Sequence, residues 1–249
     1  MLRYARNDKE KYMTTVSVVI PVYNEERALP DSIAKLRDFL SQNLKHQWHI
    51  VIADNASKDK TWEIAQSLAK QYPDVVPIHI DQKGRGRALR KVWLENKADI
   101  VSYMDVDLST ELDAFPKLVQ AIIDGSDIAI GSRLKRGAKT TRGPKREFTS
   151  RCYNLLIKIM FFTTLSDAQC GFKAVSRDCA QKILPLTRNN EWFFDTELLL
   201  LAMKNGYKIA EIPVTWVDDP GTTVNIRRTV IEDLKGLARI RFHRIPRPK

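Results

Sequence analysis

Two aspartates, Asp105 and Asp107, stand one residue apart directly after the apolar segment 100–104. That segment has the length and composition of a buried strand, so both carboxylates are expected where a sheet meets solvent. Neighbouring carboxylates repel each other unless a proton or a cation lies between them. Their oxygens suit a hard divalent cation such as Mg²⁺ or Mn²⁺, which keeps some water and shares its coordination with substrate phosphates. An isolated pair of aspartates with this spacing more often caps a turn, so the surrounding residues decide the interpretation.

The segments around this pair alternate between strand and helix patterns. β-Branched apolar runs predict strands, and apolar residues three and four apart predict helices. The predicted strands cover 16–22, 48–53, 75–80, 100–104 and 127–130, and the predicted helices cover 28–44, 59–71, 87–96 and 113–123. This order is typical of an α/β fold with a Rossmann-like, mostly parallel sheet and helices on both faces.

Polar residues close three of the predicted strands. They are the segment 21–25, the pair Asp54 and Asn55, and the pair Asp105 and Asp107. In sheets of this type, ligands bind at the carboxyl ends of the strands. We therefore expect the three groups to meet in one crevice, which favours a metal site over a capped turn.

Composition and charge limit the classes of protein to which this chain can belong. The chain has 249 residues, 43% of them hydrophobic, and a formal net charge of +11. This content supports a packed core, and the charge predicts an anionic partner. The first residues are charged and lack the apolar centre of a signal peptide, and no apolar run has the length of a membrane span. Three cysteines without metal-ligand spacing, Cys152, Cys170 and Cys179, are typical of a reducing compartment.

Two basic segments lie in the second half of the chain. Residues 132–151 are basic and poor in apolar residues, which predicts a mobile loop, and an apolar helix is predicted over 152–162. This combination suits a ligand with an anionic head and an apolar tail, or else a solvated loop leading into a core helix. The C-terminal segment is basic with an apolar side, which fits an anionic membrane surface or a solvated tail helix equally well.

Seven segments resemble, in order, the landmarks of family 2 glycosyltransferases, and more narrowly those of dolichyl- and polyprenyl-phosphate sugar synthases. They read VSVVIPVYNEE, ADNASKDKT, KGRGRALR, YMDVDLST, GSR, DAQCGFKAVSRD and EWFFDTELL, between residues 16 and 223. The resemblance implies a GT-A fold, a nucleotide-sugar donor, Mg²⁺ or Mn²⁺, and a polyprenyl phosphate acceptor. On this basis we expect an N-terminal extension at 1–14, a GT-A glycosyltransferase domain at 15–224 and a basic amphipathic tail at 225–249.

The resemblance implies a donor site built from strand ends. It places the nucleotide against Pro21, Tyr23 and Glu25 at the nucleoside, Asp54 and Asn55 at the base, and Gly84 and Arg87 along its length. Asp107 would bind the metal directly, and Asp105 would face the ribose or reach the metal through water. Many relatives have Gln two residues after the second aspartate, whereas this chain has Ser109, so its metal geometry is expected to differ.

The resemblance also implies the acceptor site and the reaction. Arg133 and Arg146 would hold the acceptor phosphate, and Lys173, Asp195 and Glu197 match positions near the donor sugar and diphosphate. A phosphate oxygen would attack the anomeric carbon with inversion, and no strong base is needed because a phosphate monoester is already anionic at neutral pH. Glucose from UDP-glucose is favoured, then mannose from GDP-mannose. The expected location is the cytoplasmic face of a membrane, with or without a membrane-protein partner.

Other functions account for parts of the pattern. Asp195 acting as a base would suit a family 2 enzyme that glycosylates a saccharide hydroxyl. A haloacid dehalogenase phosphatase also has a strand ending in D-x-D, but on its first strand, not its fourth. The segment Lys83–Arg87 is similar to a dinucleotide fingerprint, but Leu89 occupies the third glycine position. The positive charge alone would suit nucleic acid, yet no recognition motif supports such a partner.

Overall fold

The computed structural model describes residues 14–217 and 226–243, without the side chains of 226–228. A seven-stranded sheet forms its centre, in the order β3-β2-β1-β4-β7-β5-β8. The strands are β1 Thr15–Val22, β2 Gln47–Asn55, β3 Val75–Ile80, β4 Ile100–Met104, β5 Ile128–Ser132, β7 Phe172–Ser176 and β8 Ile209–Pro213. Only β7 runs antiparallel to its neighbours, so the sheet is mostly parallel as predicted. Short strands β6, Lys139–Thr141, and β9, Thr215–Val217, pair separately.

Eight helices are described, and they cover both faces of the sheet. They are α1 Leu29–Asn43, α2 Thr61–Gln71, α3 Arg85–Glu95, α4 Phe115–Ile123, α5 Pro144–Phe161, α6 Arg177–Ile183, α7 Phe194–Lys204 and α8 Ile226–Phe242. One buried apolar cluster contains residues of α1, α2 and α4, and the other contains residues of α3, α5, α6, α7 and α8. The predicted α/β fold with helices on both faces is therefore confirmed.

The apolar pattern of the sequence explains these layers. Alternate residues of β1 face opposite clusters: Val19 belongs to the cluster with α3, and Val18 and Ile20 belong to the one with α1. A strand covered on both faces reads as a continuous apolar run, which is how β1 was recognised. The predicted strands and helices are all present, with ends that shift by a few residues.

The prediction of a mobile loop over 132–151 is wrong. The structure forms β6 in this segment and begins α5 at Pro144, eight residues before the predicted helix. Glu147 stabilises the first turns because it accepts hydrogen bonds from Arg142 and Arg151. β6 pairs with β9, which lies more than seventy residues further along the chain. Local sequence does not encode such a pairing, so the segment resembles a loop.

The C-terminal helix packs on the domain. Leu237 and Ile240 of α8 are buried in the core, and Arg239 forms a 2.6 Å ion pair with Glu197 of α7. The boundary predicted near residue 225 stays a prediction, and most of the extension predicted at 1–14 lies outside the described residues.

Candidate active site

The ends of β1, β2 and β4 lie side by side. Val22 of β1 is opposite Asp54 of β2, and Val19 is opposite Tyr103 of β4. Both pairings are parallel, so the residues that follow each strand leave the sheet at the same edge. The three polar groups that we expected to meet therefore do lie along one edge.

The part of this edge that is predicted to bind the nucleoside has contacts within the protein. Fully buried Asp54 lies 2.6 Å from His79 Nδ1 and accepts a hydrogen bond from the backbone N–H of Ser57. The ammonium group of Lys83 lies 3.5 Å from the centre of the Tyr23 ring. Both His79 and Lys83 follow or end β3, and the sequence analysis assigned them no role. Base recognition by Asp54 stays a prediction.

The turn before α3 fits closely against the loop before α7. Gly84 has φ +152°, and a Cβ atom there would lie 2.7 Å from the Asn190 carbonyl oxygen, so this position requires glycine. The Gly84 N–H donates to Asn55 Oδ1 at 2.8 Å, and the Arg87 N–H donates to the Asn190 carbonyl. Pro21 lies in β1, and the Glu25 N–H donates to Thr61 Oγ1 at 2.7 Å. These contacts shape the wall of the predicted donor site.

A cluster of charged groups occupies the centre of the edge. Arg85, the first residue of α3, donates to Asp105 Oδ1 at 2.7 Å and to Asp195 Oδ2 at 3.0 Å. Fully buried Lys173 lies 3.0 Å from the other oxygen of Asp195, which also accepts a hydrogen bond from the Tyr103 hydroxyl. Elements far apart in sequence thus surround one carboxylate with two cations and a hydroxyl.

The cluster sets the ionisation of its acids. Burial alone would raise the pKa of Asp195, but Lys173 and Arg85 outweigh it and hold the pKa below its ordinary value. Burial raises the pKa of Asp105; Asp107 and Asp195 add to this, and Arg85 opposes it. Burial also raises the pKa of Tyr103 well above that of a free phenol. Asp195 is therefore ionised at neutral pH, with both oxygens engaged.

Asp107 has the more accessible carboxylate of the aspartate pair. It is exposed, and one oxygen accepts a 3.0 Å hydrogen bond from the Ser109 N–H. Asp105 and Asp107 supply carboxylate oxygens, which fit Mg²⁺ or Mn²⁺. Within 14–217 and 226–243, no three His, Cys, Asp or Glu side chains gather as a metal site. A cation here would thus need water and ligand phosphates to complete its coordination.

The predicted acceptor arginines differ in their surroundings. Arg133 makes a bidentate pair with buried Asp167, at 2.7 and 2.9 Å, and its guanidinium lies 5.4 Å from the Trp216 ring centre. Arg146 is exposed in the first turns of α5. Nearby in sequence, Arg142 Nη2 and Ser150 Oγ are buried and have no hydrogen-bond partner among the described residues.

Glu197 joins neighbouring segments of the fold. Its carboxylate is fully buried and accepts hydrogen bonds from the Arg188 and Asn189 N–H groups, at 3.0 and 2.7 Å, and from Arg239 of α8. This geometry ties α7 to the loop before it and to α8. Its predicted place near the donor sugar stays a prediction.

The sequence analysis missed three residues of this centre: Arg85, Tyr103 and Asp167. Tyr103 and Asp105 are two residues apart at the end of β4, so the strand period was a usable signal for Tyr103. Arg85 lies in the segment Lys83–Arg87, of which only Gly84 and Arg87 were assigned to the donor site. No local pattern predicts that Asp167 pairs with Arg133, because β5 and the segment before β7 meet only in the folded sheet.

The fold and the site define a class: an α/β protein with carboxylates and cations gathered at the carboxyl edge of a parallel sheet. A family model described as Glycosyl transferase family 2 matches residues 17–184, and the chain belongs to that family. A solved glucosyl-3-phosphoglycerate synthase of Mycobacterium tuberculosis, in complex with UDP, matches with TM-score 0.69 at 20% identity, over 94% of this chain and 81% of that one. That likeness shows the GT-A fold.

Curated relatives include synthases of lipid-linked sugars. The dolichyl-phosphate beta-glucosyltransferase of Saccharomyces cerevisiae is 30% identical, over an alignment that covers 95% of this chain and 76% of that protein. The dolichol-phosphate mannosyltransferase of Pyrococcus furiosus is 31% identical over 90% of this chain and 63% of that protein. Glycosyltransferase AglD of Haloferax volcanii is 34% identical over 87% of this chain, which spans 35% of that relative.

Proposed function

We propose that this protein transfers a hexose from a nucleotide-diphosphate sugar to a polyprenyl phosphate, with inversion at the anomeric carbon. Its family and the names of its relatives support this class of reaction. Several relatives are named glucosyltransferases, which favours glucose from UDP-glucose over mannose from GDP-mannose.

The state of Asp195 is the observation that carries this proposal. Its carboxylate is ionised, and its oxygens are engaged by Arg85, Lys173 and Tyr103. A carboxylate with a lowered pKa and three partners is a poor base for a neutral hydroxyl. A phosphate monoester has a second pKa of about 6 and brings its own negative charge, so it needs no base. The alternative acceptor, a saccharide hydroxyl activated by Asp195, is therefore disfavoured.

Asp107 and Asp105 would hold Mg²⁺ or Mn²⁺ at the donor diphosphate. When bound, the cation supplies positive charge to the departing nucleoside diphosphate. Solved structures of the M. tuberculosis synthase contain Mn²⁺ with UDP-glucose, and the oxygen donors of this chain fit the same class of ion. Ser109 brings a shorter side chain than the Gln of many relatives, so water would take that place.

The beginning of α5 would receive the acceptor phosphate. Arg146 is exposed there, and the unpartnered Arg142 Nη2 and Ser150 Oγ add donors in the same segment. The α5 N-terminus, with Pro144 in its first turn and no side-chain cap, also favours an anion. Arg133 would contribute the part of its guanidinium that Asp167 does not engage.

The exposed faces of α5 and α8 would rest on a membrane that contains the acceptor. Large apolar side chains are exposed on both helices or at their ends: Phe148, Leu155, Ile159, Phe162, Val230, Ile231, Leu234 and Phe242. Basic residues flank them, which suits anionic lipid headgroups. No described helix is long and apolar enough to cross a bilayer. We place this peripheral contact on the cytoplasmic face, where a membrane-protein partner would strengthen it.

A transfer assay tests the proposal. Purified protein with Mg²⁺ or Mn²⁺ and a short polyprenyl phosphate is given UDP-glucose or GDP-mannose, and lipid products are measured by mass spectrometry. We expect a sugar-phosphate-lipid from one donor, lost with EDTA. The free polyprenol is the matched acceptor without a phosphate, and equal transfer to it would contradict the role assigned to Asp195. Asp107→Asn should lose this transfer, whereas Asp113→Asn, which removes a charge from an exposed position a few residues further along the chain, should keep it.

A further inference from the structure

We propose that Arg85 is an internal cation that competes with the metal for Asp105, and so makes metal binding depend on the donor diphosphate. The inference rests on the proposed function, because it assumes a metal at Asp105 and Asp107. It adds a positioning residue to that site, and it predicts cooperative binding of the metal and the nucleotide.

Arg85 is fixed in the centre of the site from several sides. Its two terminal nitrogens contact the carboxylate of Asp105, directly after β4, and that of Asp195 on α7, at 2.7 and 3.0 Å. The rings of Tyr103 and Trp192 lie 5.0 and 4.8 Å from the guanidinium carbon. Its side chain is 13% exposed, so water screens its charge only partly.

Both oxygens of Asp105 have protein neighbours, although 47% of the side chain is exposed. Oδ1 accepts the hydrogen bond from Arg85, and Oδ2 lies against Gly171, where a Cβ atom would be only 1.9 Å away. That same Cβ would lie 2.9 Å from Arg85 Nη2, so Gly171 leaves just enough room for the carboxylate and the guanidinium together. A cation that binds Asp105 must therefore share it with Arg85 or displace Arg85 from it.

The charges at the site show why the diphosphate matters. Three carboxylates, Asp105, Asp107 and Asp195, face two cations, Arg85 and Lys173, which leaves one net negative charge for a divalent metal. Without the Arg85 charge, two negative charges would attract the metal. The diphosphate of a nucleotide-sugar brings about two negative charges, which attract the metal and give Arg85 a second anionic partner. Arg85 thus weakens metal binding in the absence of nucleotide and favours the complete complex.

The binding of the metal and the binding of the nucleotide are thermodynamically linked, which makes the effect of Arg85 measurable. If nucleotide raises the affinity for the metal by some factor, the metal raises the affinity for the nucleotide by the same factor. Charges a few ångströms apart in a partly buried site interact by at least about 1.4 kcal/mol, which is tenfold in affinity. We therefore expect UDP or GDP to raise the Mn²⁺ affinity of the natural protein about tenfold or more.

The experiment is a Mn²⁺ titration of the full chain, with free Mn²⁺ measured by electron paramagnetic resonance, without nucleotide and with UDP or GDP. The Mn²⁺ bound by each nucleotide alone is measured separately and subtracted. Arg85→Gln should bind Mn²⁺ about tenfold more tightly without nucleotide, and its enhancement by nucleotide should be about tenfold smaller than that of the natural protein. Arg85→Lys keeps the charge and should retain the enhancement. Lys91→Gln removes a charge from an exposed position on the same helix and should behave as the natural protein.

The outcomes separate the inference from the proposed function. Unchanged or weaker Mn²⁺ binding by folded Arg85→Gln, while Asp107→Asn loses binding, would overturn the role of Arg85 alone. Mn²⁺ binding by Asp107→Asn at the natural affinity would instead overturn the metal site itself. If Arg85→Gln does not fold, the natural protein still decides, because the absence of enhancement by both nucleotides contradicts the inference.

Discussion

Replacing Lys173 by Met tests whether the charged cluster around Asp195 is organised as described. Lys173 is fully buried, and its ammonium lies 3.0 Å from an Asp195 oxygen and donates to the Cys170 carbonyl. Methionine preserves the length and apolar part of the side chain but removes the charge. Removing one partner of a buried ion pair costs about 3–5 kcal/mol of folding free energy. Arg85 still contacts Asp195, so we expect a loss of about 3 kcal/mol at pH 8.

The loss should depend on pH in a definite direction. In the natural protein the pKa of Asp195 is lowered, so its ionisation stabilises the fold above its unfolded pKa of about 3.9, and this contribution is lost as the pH falls. In Lys173→Met, burial is less well opposed, so the pKa of Asp195 rises. The variant then takes up a proton more readily as the pH falls, and its deficit should be smaller at pH 5 than at pH 8.

Urea denaturation followed by circular dichroism measures both effects. Lys182→Met is the matched control, because Lys182 forms an exposed ion pair with Asp178 four residues away, and such pairs contribute little. We expect that control to unfold like the natural protein. A deficit below about 1 kcal/mol for Lys173→Met, equal at the two pH values, would refute the assignment of Lys173 as the counter-ion of Asp195.

Three further changes probe the metal site, the acceptor site and α8. Asp107→Ala should abolish metal-dependent transfer while the thermal unfolding curve stays unchanged, and near-normal activity would reject its role as metal ligand. Arg146→Gln should raise the KM for polyprenyl phosphate about tenfold, with nucleotide affinity measured by calorimetry unchanged; equal losses would move Arg146 to the donor side. Burial raises the pKa of Asp233 to about 7, so its ionisation destabilises the fold as pH rises. Asp233→Asn should therefore stabilise the protein at pH 8 by roughly 1–2 kcal/mol and much less at pH 4, and a gain independent of pH would contradict this account.

The amino-acid sequence is enough to predict the layers of the fold and one edge of the site. Continuous β-branched apolar runs determine strands locally, and apolar residues with a period of 3.6 determine helices, so β1 to β5 and α1 to α4 were predictable. The carboxyl ends of parallel strands meet at one edge of a sheet, so the sequence was enough to predict that Asp54 and Asp105 share an edge, and the structure has the end of β1 between them.

The charged centre and the second half of the fold depend on contacts between segments that are distant in sequence. Arg85, Lys173 and Asp195 come from α3, β7 and α7, and no local period relates them. β6 forms because β9 reaches it from a distant part of the chain, and α8 is held by the buried charge of Glu197. Ion pairs between such segments depend on distances that exist only after folding. The sequence therefore indicated which residues carry charge, whereas folding decided which charges are neutralised internally and which face a substrate.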